Sequence, residues 1–379
     1  MTKFDSIRPF YDSEVNEALK SLLHHPMMKA MMDFTFPEIP ESAWKEQLSR
    51  THSIRDFQIN FVYQSIQRVL ERSSEGLTTS GFEKLEPNTS YLFISNHRDI
   101  ILDTSLLNVS LFDHGLVMTA SAIGDNLVQK DFLLKLSKLN RNFLVLRGLS
   151  PRELLLSSKL MAEYMYQLLS KENRSVWIAQ REGRTKDGKD ATHQGVLKMI
   201  AMASDEENCM DFFKKLKIVP VSISYEYDPT DALKMPQLIA LSKDEEYIKE
   251  KNEDFITLLS GIIGQKKRIH IHVGDILENE YDKIKVENDN NNKQIQALAQ
   301  VIDDSILQSY KLWPTNFIAY DILNNTTTFA HLYDDKERQL FERRLEMRID
   351  AENDTMKAGF LAMYANPVVN KLNYTHDVG

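Results

Sequence analysis

In DSEVNEALKSLLHHPMMKAMMDF, residues 12–34, apolar positions return every three or four places. That is the spacing of one helix face, with Asp12 or Ser13 placed to cap it. FPEIPE breaks the pattern, and RDFQINFVYQSIQRVLERS restores it until Gly76. Residues 1–85 therefore read as a helical N-terminal region. Its Met and Phe stripe is of the kind that fills a core, and a membrane-facing surface is the lesser alternative. From about residue 90 the period changes. YLFIS, LVMTA, FLVL, SVWIA, IVPVSISY and RIHIHVG are short apolar runs that read as strands. DTSLLNVSLF, residues 129–139, PRELLLSSKLMAEYMYQLLS and QGVLKMIAMAS alternate with them as amphipathic helices. This alternation predicts an α/β domain over 86–312, with a mostly parallel central sheet flanked by helices. Pro220 inside IVPVSISY argues for an edge or bulge position, because proline has no N–H to give a ladder. Residues 313–379 read as a mostly helical C-terminal tail.

The composition narrows the class. Across 379 residues, 42% are apolar and the formal net charge is −9, as in ordinary globular domains. A single Cys excludes a disulfide framework and suits a cytoplasmic chain; Cys209 reads as a packing residue. No apolar run reaches the roughly 18 residues of a membrane span, and no basic patch interleaved with aromatics points to nucleic acid. The overall acidity hides a basic middle: between Lys130 and Lys198 there are fourteen Lys/Arg against seven Asp/Glu. Such a stretch can gather phosphates or acidic headgroups.

Candidate chemistry concentrates at predicted strand ends, where open α/β sheets bind ligands. In SNHRDIILD, His97 lies between YLFIS and the next helix, with Asp99 and Asp103 as alternative carboxylate partners. A carboxylate that fixes the tautomer makes an imidazole a general base. FLVLRGLSPRE places Arg147 just past a strand, and SVWIAQREGRTKDGKD does the same for Glu182, Gly183 and Arg184. Arg gives forked hydrogen bonds to phosphate oxygens, and Gly lets a backbone come close. His270 and His272 share one face of a strand, but no third metal ligand is placed near them, so no metal is expected.

These blocks, in order, resemble the glycerolipid acyltransferase family. NHRDIILD corresponds to its His-then-Asp block, FLVLR to its strand ending in Arg, WIAQREGRT to its Glu-Gly and Arg block, and IVPVSISY to its proline-bearing strand. The likeness spans about 90–225. It implies transfer of a fatty acyl group from acyl-CoA or acyl carrier protein to glycerol-3-phosphate or 1-acylglycerol-3-phosphate. On this resemblance His97 and Asp103 are catalytic, and Arg147, Glu182, Gly183 and Arg184 bind substrate. No acyl-enzyme, cofactor or metal is expected, and attachment to the membrane would be peripheral. The wording of IVPVSISYE and EGRTKDGK lies nearer the glycerol-3-phosphate branch.

Two departures matter. The family's Asp falls five places after His, which is Leu102 here; Asp103 is one further, about 100° round a helix. Contact then needs a bulge or a later helix start, or else Asp99 serves. In the third block Gly183 adjoins Arg184 directly, which shifts Glu182 onto a family Gly. The alternatives are another lysolipid or amino-acid lipid as acceptor, or a lipid-binding protein without catalysis. Neither Asp reaching His97 would favour the last.

Overall fold

The structure, a computed structural model, describes residues 2–250 and 252–377. The N-terminal region forms α1 (Asp12–Leu22), α2 (Pro26–Thr35), α3 (Glu41–Ser49), α4 (Ile54–Phe57) and α5 (Tyr63–Ser73). Pro26 starts α2 at its first turn, where its missing N–H costs nothing, so the first helical pattern is divided. Tyr11, not Asp12 or Ser13, is the N-cap of α1, and Glu14 reaches back to its N–H. Val15, Leu19, Met28 and Met32 are fully buried. The apolar stripe is core, and these side chains offer nothing to a membrane.

The strands and helices then alternate: β1 (Ser74–Ser80), β2 (Leu92–Ser95), α6 (Leu102–Asp113), β3 (Thr119–Gly124), α7 (Asp131–Leu139), β4 (Asn142–Val145), α8 (Pro151–Lys171), β5 (Ser175–Ala179), α9 (Gln194–Ala201), α10 (Cys209–Lys214) and β6 (Ile218–Tyr225). They continue with α11 (Asp231–Ser242), α12 (Glu253–Ile263), β7 (Lys267–Val273), α13 (Glu280–Glu287) and α14 (Asn291–Ser309). The C-terminal helices are α15 (Pro314–Asn324), α16 (Asp335–Arg348) and α17 (Asp354–Asp377). One seven-stranded sheet runs β1-β7-β6-β2-β5-β3-β4. Among the described residues, only the β6–β7 pair is antiparallel. The fold is the α/β layering the sequence predicts.

Three details differ from the sequence reading. Ser74–Ser80 is an edge strand paired with β7, so the last part of the helical region belongs to the sheet. The third strand starts at Thr119 and runs to Gly124, not over LVMTA alone. Pro220 lies in an interior strand, between β7 and β2. The β7 ladder ends where Val273 meets Val221. The Pro220 carbonyl faces that end and accepts from Gly274 N at 2.9 Å. The position of the missing N–H faces the same way, past the last pair, so the proline takes no bond out of the ladder.

Helices cover both faces of the sheet. Leu92, Ile94, Val176, Ile178 and Ile218 face a core built with α8, α9 and α14. Phe93, Trp177, Val219 and Val221 face α5 and α6. A third cluster joins Met235 of α11 to Ile318, Phe341, Phe360 and Tyr364 of the C-terminal helices. Among the described residues no helix is long and apolar enough to cross a membrane.

Candidate active site

At the end of β2, Asn96 takes over the role of a strand residue. Its Nδ2 donates to Ile223 O at 3.0 Å, and its Oδ1 accepts from Ile223 N at 2.8 Å. This lock ends β2 and turns the next residue, His97, out of the sheet into a cleft. Trp177 lies edge-on to the imidazole, with ring centroids 5.4 Å apart, and its Nε1–H donates to Ser95 Oγ at 2.9 Å.

His97 Nδ1 lies 2.7 Å from Asp103 Oδ2. Asp103 is fully buried and has three further donors. Arg98 N and Asp99 N reach the same oxygen at 2.6 and 3.0 Å, and Tyr225 OH reaches Oδ1 at 2.9 Å. An ionised carboxylate only accepts, so the proton of a neutral His97 sits on Nδ1. Nε2 is left with its lone pair, as a general base requires. The extra residue in the spacing is absorbed before the helix. Residues 98–101 form a turn, α6 begins at Leu102, and Asp103 folds back from its first turn over the preceding N–H groups. Asp99 is engaged elsewhere. Its Oδ1 accepts from Ile101 N and Leu102 N at 2.9 and 2.8 Å, capping the start of α6. Burial first, and then the neighbouring Asp103 charge, push the Asp99 carboxyl above its ordinary pKa. The open choice of partner is thus resolved for Asp103.

The cleft, of about 700 Å³, is lined by His97, Arg147, Glu182, Gly183 and Arg184 together. Arg147 follows β4 and is ion-paired with Glu182. Glu182 is 72% exposed, so the structure shows it orienting an arginine at the rim. Gly183 has φ +69°, the left-handed region where a side chain is strained. Arg184 donates to Thr230 Oγ1 at 3.2 Å.

Sequence reasoning passes over Lys186, two residues beyond Arg184 in the same loop. It also lines the cleft. Burial first, and then Arg184 and Lys234, press its ammonium down to a pKa of about 6. Its Nζ donates to the Arg184 carbonyl at 3.2 Å. A doubly charged anion placed beside these groups would favour the charged ammonium, so this basic wall suits a phosphate. Tyr225 escapes sequence reasoning as well. It ends the run IVPVSISY, but only the sheet register brings its hydroxyl to Asp103.

A second, apolar cavity of about 210 Å³ lies between α5, α6 and α12, with Ile66, Val109, Phe112 and Ile262 in its wall. Ile100 and Ile123 line both cavities, so the two adjoin beside His97. The paired His270 and His272 are spoken for: Ser80 Oγ lies 3.0 and 2.8 Å from their rings, and Thr78 Oγ1 lies 2.8 Å from His270. Cys209 is buried in α10.

A layered α/β domain with four blocks at successive strand ends has the layout of an acyltransferase domain. Residues 76–224, from within β1 to near the end of β6, match the family model described as Acyltransferase. That stretch is an acyltransferase domain, which supports the likeness of its blocks to the glycerolipid acyltransferases. No curated protein matches it. Among solved structures it is similar to the 1-acyl-sn-glycerophosphate (LPA) acyltransferase PlsC from Thermotoga maritima. That likeness has 10% identity and a TM-score of 0.38, and covers 79% of this chain and 99% of that one.

Proposed function

We propose that this protein moves a fatty acyl group from acyl-CoA or acyl carrier protein to glycerol-3-phosphate or 1-acylglycerol-3-phosphate. One observation carries the reading: the His97–Asp103 dyad faces a cleft walled by Arg147, Arg184 and Lys186, which adjoins an apolar cavity. A phosphate, a hydroxyl and an acyl chain need those three environments side by side. His97 Nε2 takes the proton of the acceptor hydroxyl as its oxygen attacks the thioester carbonyl. The C–O bond forms, the C–S bond breaks, and the imidazolium returns the proton to the departing thiolate. Asp103 stabilises the imidazolium in between. Arg147 and Arg184 hold the acceptor phosphate and turn a collision into a positioned attack.

The test is acyl transfer to each acceptor separately, by wild type and Arg184→Ala, with both donors supplied. Wild type should use one acceptor, and the variant should raise its KM about 30-fold, the order expected for one lost charge-assisted contact. Absence of transfer to both acceptors sinks the proposal. An unchanged KM in Arg184→Ala turns it toward an acceptor without phosphate.

The proposal includes a peripheral membrane position at the cytoplasmic face. Leu154, Leu155 and Leu156 are exposed at the start of α8, and Leu154 borders the cleft. On α12, Ile256, Leu259 and Ile263 form an exposed stripe, while Leu258 and Ile262 of the same helix line the apolar cavity. Apolar rims of this kind suit the headgroup boundary. Wild type should sediment with anionic lipid vesicles, and Leu155→Glu/Ile263→Glu should stay largely in the supernatant. Wild type that never sediments with vesicles removes this part of the proposal.

A further inference from the structure

The loop that carries Arg184 and Lys186 is not held by the acyltransferase domain alone. On the domain side, Thr185 N donates to His97 O at 3.0 Å, and Arg98 forks onto Asp190 at 3.2 and 2.5 Å. Thr192 donates to Asp303 Oδ1 of α14 from both N and Oγ1, at 2.7 and 2.5 Å. The middle of the loop, residues 187–188, is held from the far end of the chain. Asn366 Nδ2 donates to Asp187 O at 2.6 Å, and Asn370 Nδ2 donates to Gly188 O at 3.1 Å. Both asparagines lie on α17, four residues apart, and therefore on one face.

The helix is shaped for this contact. Pro367 stands inside α17 and has no N–H to give the carbonyl four residues earlier, that of Met363. Gly188 packs against that carbonyl. A Cβ at Gly188 would collide with Met363 O, and its φ of +76° already favours glycine. The same helix is anchored below. Tyr364 OH donates to Asp231 Oδ2 at 2.9 Å, and Asn316 Nδ2 donates to Tyr364 O at 2.8 Å. The loop thus closes onto a helix some 180 residues away, outside the stretch 76–224 that matches the family.

We infer that Asn366 and Asn370 are positioning residues for the acceptor. Through the carbonyls of Asp187 and Gly188, α17 sets where Arg184 and Lys186 stand. The inference rests on the proposed binding of the acceptor phosphate by that loop. A phosphate held by two cations on one loop loses affinity when the loop wanders. The hydroxyl chemistry at His97 is untouched once the acceptor is in place.

The experiment compares Asn366→Ala, Asn370→Ala and the double variant with wild type and Arg184→Ala, measuring kcat, both KM values and the melting temperature. Alanine is the best helix former, so α17 should persist. Each single variant should raise the acceptor KM about five-fold, the order of one net hydrogen bond, and the double variant about twenty-fold. The donor KM and kcat should stay within about two-fold. An acceptor KM unchanged in both asparagine variants, while Arg184→Ala raises it, overturns the inference and spares the acceptor reading. Equal losses for both substrates together with a lowered melting temperature show a merely structural role and also overturn it. An acceptor KM unmoved even by Arg184→Ala fails the acceptor reading itself, and this inference with it.

Discussion

His97→Ala should lower kcat for acyl transfer by about 10²–10⁴, the range of a positioned general base. Both KM values should change little, since binding rests on the cleft walls. The fold should survive. The side chain is 13% exposed, and Asp103 keeps its bonds from Arg98 N, Asp99 N and Tyr225 OH when the imidazole goes. Loss of one hydrogen bond costs about 1 kcal/mol, small beside the stability of a domain this size. Steady-state kinetics at saturating donor and acceptor, with a melting curve of the same preparation, checks both parts. A kcat within ten-fold of wild type would mean that His97 is not the base.

Asp103→Asn should be nearly as damaging to catalysis and worse for the fold. The carboxylate accepts from four donors at once. An amide has one oxygen and an N–H₂ group: with the nitrogen toward Arg98 N and Asp99 N donors face donors, and with it toward Tyr225 the hydroxyl must turn to accept and the charge-assisted bonds are lost. We expect a stability loss of about 1–3 kcal/mol, the scale for buried polar groups left poorly satisfied. If the amide nitrogen turns to His97, the ring must present a lone pair at Nδ1 and carry its proton on Nε2. The base is then lost, and kcat should fall about 10³–10⁴. Asp99→Asn is the informative contrast. Asparagine caps a helix as well as aspartate does, and the change removes a like charge beside Asp103, so kcat should stay within a few-fold. Equal losses in Asp99→Asn and Asp103→Asn would show a general response of the turn to mutation, not a dyad.

Much of the site is legible along the chain because its parts are short. His97, Arg147, Gly183 and Arg184 each follow an apolar run, and each run is a strand whose C-terminal end faces the same cleft. The choice between Asp99 and Asp103 is not legible. It turns on where α6 begins, and a shift of one residue rotates a side chain by about 100°. β1 escapes because SEGLTTS has no apolar run to announce it. It is a strand only because β7 offers it a ladder. Glu182 looks like a ligand by its block, yet its carboxylate goes to Arg147, 35 residues earlier.

The sequence by itself determined the α/β class, most of the core strands and helices, and which short blocks hold the candidate site residues. Periodicity and strand-end position are local properties, settled by hydrophobic burial within a few turns of chain. Only the tertiary structure decided the partners: Tyr225 on Asp103 across 122 residues, and Asn366 on the loop at Asp187 across 179. Those contacts depend on sheet register and on how the C-terminal helices pack. No spacing along the chain encodes either, because each is the joint outcome of all the surfaces that must be buried together.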